Sequence, residues 1–334
     1  MLLSIIIVNF RTAGLLQDCI GSILEHTRKI NFEIIVVDNN SGDNSEIITR
    51  SVFPQVQWIQ MEYNAGFARA NNAGMQIAKG EAVLLLNPDT IIKDNAIENA
   101  FQDLMSGDFI ACGVQLLNAD GSLQISGNYA MRGGLNYLLP LPYTGWMIKK
   151  AGELFGIKKP HASGTATVTE VDWINGAFLM VKKSAIAKAG LMDEDFFLYA
   201  EEAEWCSRLR KAGKLCIFGQ YQIIHLQGVS ANDAFYSSGK GYYNLYDKKG
   251  FQIMLSNFVR IRKEFGVMWF LFDLFAYTAT VPVAFVFSIF HSVVFVQNPL
   301  IRLKKISGLG KNVLGLWGYA GKIISGRPYF YKVL

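Results

Sequence analysis

The chain has 334 residues, of which 51% are hydrophobic and 18% charged, and its formal net charge is +5. That length can bury one large core or two modest ones, and the composition excludes a disordered, collagen-like or disulfide-rich chain. The mild positive charge suits phosphate-bearing ligands or an anionic membrane surface and selects neither. Cys19, Cys112, Cys206 and Cys216 form no C-x-x-C pair and read as buried thiols of a reducing compartment.

The N-terminal run Met1–Val8 is apolar but is broken at once by Asn9 and Arg11, so it reads as a first strand and not as a signal peptide. Ser4–Phe10 is that strand. Leu15–Glu25 carries a helical stripe of Leu15, Leu16, Cys19, Ile20, Ile23 and Leu24. Glu33–Val37 is a second strand, ending in the loop and helix-cap cluster Asp38-Asn39-Asn40-Ser41-Gly42. Val56–Gln60 is a third strand, Phe67–Ala78 is helical, and Ala82–Leu86 is a fourth strand followed by Asn87-Pro88-Asp89. This alternation predicts a parallel α/β sheet with crossover helices. Ligands bind such sheets outside the carboxyl ends of the strands, and both polar clusters fall at that edge.

Residues 113–169 are rich in glycine and aromatics, lack periodicity, and are expected to hold loops and a β-ribbon over the crevice. Structure resumes at Val171–Val181, then a helix over Lys183–Ala189, then the compact segment Asp193–Arg208 with three clustered acids, Glu201, Glu202 and Glu204. His225 ends a further apolar strand. The stretch from Val267 to Val296 is apolar and aromatic, interrupted by Asp273, Pro282 and His291. Arg260, Arg262 and Lys263 precede it and Arg302, Lys304 and Lys305 follow it. Its length and flanks predict membrane association, as a tilted span or a dip that returns to the same side. The alternative is a pair of buried packing helices.

Each polar cluster has two readings. Asp38 can accept hydrogen bonds from the imide of a uracil or thymine, or cap the helix that follows. Asp89 can hold Mg²⁺ or Mn²⁺ beside a diphosphate, or belong to an ordinary Asn-Pro-Asp turn. In Asn64–Gly74, Gly66 and a helix start suit phosphate, with Arg69 in support, or simply cap a helix. Glu201, Glu202 and Glu204 repel, which raises at least one pKa and suits a general base, or they are favourable charge at a helix N-terminus, with Arg208 as a partner. His225 is a metal or phosphate ligand only if its strand returns to the crevice.

Taken in order, Ser4–Phe10, Val36–Ser41, Asn64–Ala68, Leu84–Asp89, Asn175–Ala177 and Phe196–Glu202 resemble family 2 glycosyltransferases of the GT-A fold. The nearest likeness is to rhamnosyltransferase-like enzymes of bacterial cell-surface polysaccharide assembly, and it covers roughly residues 1–230. The resemblance implies an inverting transfer of a single sugar, rhamnose from dTDP-rhamnose, or a hexose from a UDP-sugar, to a lipid-linked or saccharide acceptor. It implies that Asp38 holds the donor base with Asn9 and Asn40 nearby, that Gly66, Arg69 and Asn87 serve the donor, and that Asp89 is the metal carboxylate, with His225 a second metal ligand. Glu202 matches the base and Glu201 the acid before it, while Trp173, Gly176 and Tyr199 shape the acceptor side.

The chain departs from the family pattern at three points: Asn87 stands where D-x-D has its first acid, Glu202 is one methylene longer than the usual Asp, and Asn71 replaces a frequent Arg. The expected division is a catalytic domain over 1–240, with halves 1–110 and 111–240, and a helical membrane-associating region over 241–334. The expected location is the cytoplasmic face of the cell membrane, at the inner leaflet. Dispersed basic residues without a recognition motif predict no nucleic-acid partner. The processive synthases on this fold normally carry Gln-x-x-Arg-Trp, a string this sequence lacks, and the nucleotidyltransferase glycine-rich loop is missing too. A non-catalytic sugar-nucleotide binder or assembly scaffold is the remaining alternative.

Overall fold

Four strand-forming runs lay down the first half of a sheet in the computed structural model, which describes residues 1–129, 134–156, 167–226, 244–294 and 298–333. Strands β1 (Leu2–Asn9), β2 (Asn31–Asp38), β3 (Gln57–Gln60) and β4 (Ala82–Leu86) pair in parallel in the order β3-β2-β1-β4. The helices between them are α1 (Ala13–His26), α2 (Ser45–Val52) and α3 (Gly66–Ile77). The strand–helix alternation of the sequence therefore forms the predicted crossover sheet. The register aligns the strand ends, with Asn9 opposite Asp38 and Ile7 opposite Leu86. The chain thus leaves β1, β2 and β4 at one common edge.

The second half is mixed. After β5 (Thr90–Ile92), α4 (Ala96–Ser106) and β6 (Ala111–Leu117), the chain continues through β7 (Gly127–Asn128), α5 (Thr144–Leu154), β8 (Val168–Val171), β9 (Trp173–Ile174) and β10 (Phe178–Lys182). It then forms α6 (Lys183–Ala189), α7 (Glu201–Leu209) and β11 (Leu215–His225). β10 runs antiparallel between β4 and β6, β11 lies parallel to β6, and β5 and β8 pair antiparallel with β11. β7 and β9 make a separate two-stranded ribbon; β7 lies in the 113–169 region where a ribbon is expected, and its partner β9 lies beyond it. The same region also holds the helix α5, where only loops and ribbon are expected.

Alternation along β1 splits the core into two layers. Leu3, Ile5 and Ile7 face α1 and α4 through Leu16, Ile20, Phe101 and Leu104. Ile6 faces the other side with Val37, Ala68, Met75, Trp205 and Leu209. Full burial of each such side chain contributes roughly 1.5–3 kcal/mol.

The chain divides into two units: Met1–Ala130 with Pro160–Phe197 and Glu201–Ser230, and Met131–Lys159 with Leu198–Ala200 and Ala231–Leu334. This differs from the expected boundary at 240/241, because α5 and its approach pack with the C-terminal helices. These are α8 (Lys248–Phe265), α9 (Val267–Val294) and α10 (Pro299–Ser325). Tyr277 donates to the Tyr137 carbonyl at 2.9 Å, and the hydroxyls of Tyr143 and Thr144 meet those of Ser288 and Thr280 at 3.2 and 3.3 Å. Phe258 stands edge-on to both Phe270 and Tyr277. Between residues 267 and 294 the apolar segment is one continuous helix with Pro282 inside it; its expected last residues, 295 and 296, lie outside the described part.

Candidate functional site

The first group of site residues is built on the ends of β1 and β2. Asp38 does not cap a helix: α2 begins seven residues later, with Asn44 as its N-cap. Instead Oδ1 of Asp38 accepts from Asn9 Nδ2 (2.7 Å) and Ser41 Oγ (2.5 Å), and Oδ2 accepts from the Ser41 N–H (2.9 Å) and Gln60 Nε2 (2.9 Å). Four donors on one buried carboxylate fix the loop after β2. Asn9 is itself held, with Oδ1 accepting from Thr12. Asn40 is exposed at the tip of this loop with φ +60.

Asn39, absent from the expected site, is the clamp to the next segment. Its Nδ2 donates to the Gly66 carbonyl (3.0 Å) and its Oδ1 accepts from the Ala65 N–H (2.7 Å). Gly66 opens α3 with φ +76, and a Cβ there would overlap the Phe197 carbonyl oxygen and stand 2.8 Å from Phe197 Cδ2. Only glycine fits. Arg69 turns elsewhere, donating to the Glu194 carbonyl and the Tyr63 hydroxyl, each at 3.0 Å. Asn71, where a phosphate-binding arginine is common in the resemblance, bonds back to the Phe67 carbonyl of its own helix.

The second group joins the end of β4 to the end of β11, where Thr90 lies opposite His225. The Asn87 N–H donates to the Ala177 carbonyl (3.1 Å), and the Leu226 N–H to that of Asp89 (2.8 Å). His225 Nε2 lies 3.5 Å from Asn87 Nδ2 and 3.4 Å from Asp89 Oδ1. Its Nδ1 is 2.9 Å from Gln124 Oε1. The Gln124 amide is oriented by its nitrogen, which donates to the His225 carbonyl (2.6 Å) and to Asn118 Oδ1 (2.7 Å). The Gln124 oxygen can only accept, so Nδ1 donates, and in the neutral ring Nε2 is the nitrogen that presents a lone pair. That lone pair faces Asp89 Oδ1, a buried oxygen that makes no hydrogen bond. Two facing lone pairs suit a shared cation: a neutral imidazole and one carboxylate are ordinary ligands of a divalent ion. Among the described residues no three His, Cys, Asp or Glu side chains gather at one point, so these two fit a metal whose other ligands come from a diphosphate or water.

The third group starts α7. Glu201 and Glu202 are buried, and Glu204 is engaged in a bidentate pair with Arg208 at 2.7 and 2.8 Å. Burial, and then the charge of neighbouring Glu202, push the Glu201 carboxyl well above the usual carboxylate range. Its Oε2 makes no hydrogen bond. Glu202 joins the other groups through Gly176: a Cβ on that glycine would meet Glu202 Cβ and Cγ, and Phe67 Cε1, each at 3.6 Å. Ala177, the next residue, is the acceptor for Asn87. Glu202, Gly176, Asn87, Asp89 and His225 therefore belong to one neighbourhood, to which Gly66 connects through Phe67. Trp173 on β9 contributes a buried indole N–H without a partner. Tyr199 falls with Leu198 and Ala200 in the helical unit and has φ +72.

The model of glycosyl transferase family 2 matches residues 4–173. A glycosyltransferase named GlyG from Streptococcus pneumoniae is 36% identical over 110 residues, 32% of this chain and 36% of that protein. The low-salt glycan biosynthesis hexosyltransferase Agl10 of Haloferax volcanii is 28% identical over 227 residues, 66% of this chain and 65% of its own. The chain thus spans less than two thirds of the length of these curated relatives. Among solved structures, the mannosyltransferase PcManGT of Pyrobaculum calidifontis, in complex with GDP-Man and Mn²⁺, shares the fold with a TM-score of 0.51 and 13% identity, over 95% of this chain and 86% of that one.

Proposed function

The chain belongs to glycosyl transferase family 2, and from that premise we propose that it moves a single sugar from a nucleotide-sugar donor to an acceptor hydroxyl, with inversion, in the assembly of a cell-surface glycan. The observation that carries this reading is the packing of Glu202 against Gly176, which brings the start of α7 beside the Asn87–Asp89 loop. The donor base lies along the Asp38 loop. Its imide can replace the Gln60 amide on Asp38 Oδ2, the acceptor not committed to Asn9. The N-terminus of α3 at Gly66 offers backbone N–H groups to the diphosphate.

Asp89 and His225 Nε2 would hold a divalent ion, and the mannosyltransferase of like fold was solved with Mn²⁺. Such an ion neutralises the charge that builds on the departing diphosphate. Glu202 accepts the proton of the acceptor hydroxyl as the oxygen attacks the anomeric carbon. The new C–O bond forms as the bond to the diphosphate oxygen breaks, and the nucleoside diphosphate leaves on the opposite side. Burial disfavours the ionised form of Glu201, and this reading puts the negative charge of the pair on Glu202. The indole N–H of Trp173 is available to orient an acceptor hydroxyl.

The sugar is read as rhamnose from dTDP-rhamnose, with a UDP-hexose as the alternative donor. We place the chain at a membrane because α9 is inside-out for water. Its exposed residues are all apolar, among them Phe275, Val286 and Phe290, while Asp273, Thr280, Ser288 and Ser292 are buried against protein. Its 28 residues run about 42 Å, more than the ~30 Å hydrocarbon core. On α5, Trp146, Met147 and Leu154 are exposed beside Lys149 and Lys150, the composition of an interfacial helix. The lipid-linked acceptor and the cytoplasmic face of the cell membrane belong to this proposal.

The test is nucleoside diphosphate release from a panel of dTDP-, UDP- and GDP-sugars with Mn²⁺ or Mg²⁺. One donor is expected to turn over, and Glu202→Gln to lower its turnover by roughly 10²–10⁴-fold, the usual contribution of a general base, with donor affinity kept. Turnover retained in Glu202→Gln, or release from no donor, would overturn the assignment.

A further inference from the structure

The helical unit has a cavity of its own, about 650 Å³, with walls from the last turns of α9, the first turns of α10, and Pro142, Tyr143 and Tyr246. We infer that this cavity is a binding site for the phosphate head group of a membrane lipid whose acyl chains lie along α9. The inference rests on the membrane reading of α9 but not on the glycosyl-transfer chemistry.

Four features support it. First, the size is that of a small-molecule site. Second, the polar lining is suited to an anion: Arg302, Lys305, His291, Ser288 and the two tyrosines contribute, and among the described residues no carboxylate lines the cavity. The scarcity of acids is general here, since Asp273 is the one acidic side chain after Glu264 in the sequence. Arg302 and Lys305 are three residues apart on α10, hence on one helix face. A planar guanidinium with a neighbouring ammonium is the pairing that phosphate recognition uses.

Third, the hydroxyl side is held in place. Tyr143 and Ser288 share a hydrogen bond at 3.2 Å, and Tyr143 stacks on Phe287 at 5.5 Å. Gly308 lets α10 press onto the Tyr246 backbone, where a Cβ would overlap the carbonyl, and Asn312 donates to the Leu245 and Asp247 carbonyls at 2.9 Å. The Tyr246 part of the cavity wall is thus held by packing.

Fourth, apolar surface adjoins the charge. Phe290, Val294, Leu300 and Ile301 are exposed on the end of α9 and the start of α10, and Ile301, 65% exposed, also lines the cavity. A free phosphate needs no such border, whereas a lipid presents an anionic head and apolar chains together. Basic pockets between helices at a membrane interface bind lipid head groups in this way.

The probe is dihexanoyl-phosphatidic acid, titrated calorimetrically into the full-length chain below the concentration at which the lipid forms micelles, where no charged surface contributes. A saturable site of one lipid per chain is expected. Arg302→Gln with Lys305→Gln should weaken it about 30-fold, the equivalent of roughly 1 kcal/mol per cation. Arg302→Lys, which keeps the charge, should weaken it less than the double change does. Lys304→Gln with Lys311→Gln removes equal charge outside the cavity and should change affinity less than threefold. Inorganic phosphate should bind at least tenfold more weakly than the lipid.

The inference fails if the lipid shows no saturable site, if the two double variants lose affinity equally, or if inorganic phosphate binds as well as the lipid. The titration contains no sugar donor, so its outcome is independent of whether the chain transfers sugar.

Discussion

At the residue scale, the site depends on how individual carboxylates and amides are used. Glu201 is the clearest case. Its ordinary value is 4.5, and burial raises it in the folded protein. Below that value both folded and unfolded chains bind the proton, so Glu201 contributes nothing. Above it the unfolded chain alone ionises, and stability falls as pH rises until the folded carboxyl also titrates. Glu201→Gln removes this penalty. Thermal melts at pH 4, 6 and 8 should show the variant equal to the native chain at pH 4 and increasingly more stable above it; a constant difference would refute the burial argument. The acidic cluster itself was legible in the sequence, as was the Arg208 pairing with Glu204. The fixed proton on His225 was not, because it is set by Gln124, 101 residues away. Nor was the use of Asp38, since a cap and a four-donor loop anchor look alike until Gln60 and Asn9 are brought to it.

At the element scale, the early strands and helices were readable because each is decided locally. Continuous apolar runs made β1, β2 and β4, and a 3.6-residue stripe made α1. The insertion of β10 between β4 and β6 was not readable, since antiparallel placement is settled by pairings that no local pattern encodes. Where α5 packs is likewise decided by its partners Thr280 and Ser288. The junction at Gly66 combines both kinds of information: the turn was visible, but its reason, the Phe197 carbonyl, was not. A left-handed alanine costs about 1–2 kcal/mol and a core overlap about 1–3. Gly66→Ala should therefore lower the unfolding free energy by roughly 2–5 kcal/mol in denaturant titrations and weaken nucleotide binding at the same time. A neutral substitution would mean that the close approach to Phe197 has no energetic importance.

At the scale of the whole molecule, two kinds of surface divide the work: a sheet edge that gathers the polar groups for chemistry, and a helical unit that presents apolar surface. The sequence located the apolar segment correctly but left its burial open, because hydropathy does not say which face packs on protein. The outward face of α9 makes the membrane reading testable. A charged residue at the centre of a membrane-embedded helix costs about 2.5–3.5 kcal/mol. Val286→Asp should thus shift the chain from the vesicle fraction to the soluble fraction in flotation with anionic vesicles, whereas equal flotation would place α9 outside the bilayer.

The central claim is that Asp38, Asp89 and Glu202, distant in sequence, serve one nucleotide-sugar site. Calorimetric titration of the matching nucleoside diphosphate, with and without Mn²⁺, tests it most directly. Asp38→Ala is expected to weaken binding in both conditions, Asp89→Ala to remove only the Mn²⁺-dependent gain, and Glu202→Gln to bind like the native chain. If the Mn²⁺ gain survives in Asp89→Ala, or if binding is unchanged in Asp38→Ala, the three residues do not serve one site and the claim is wrong.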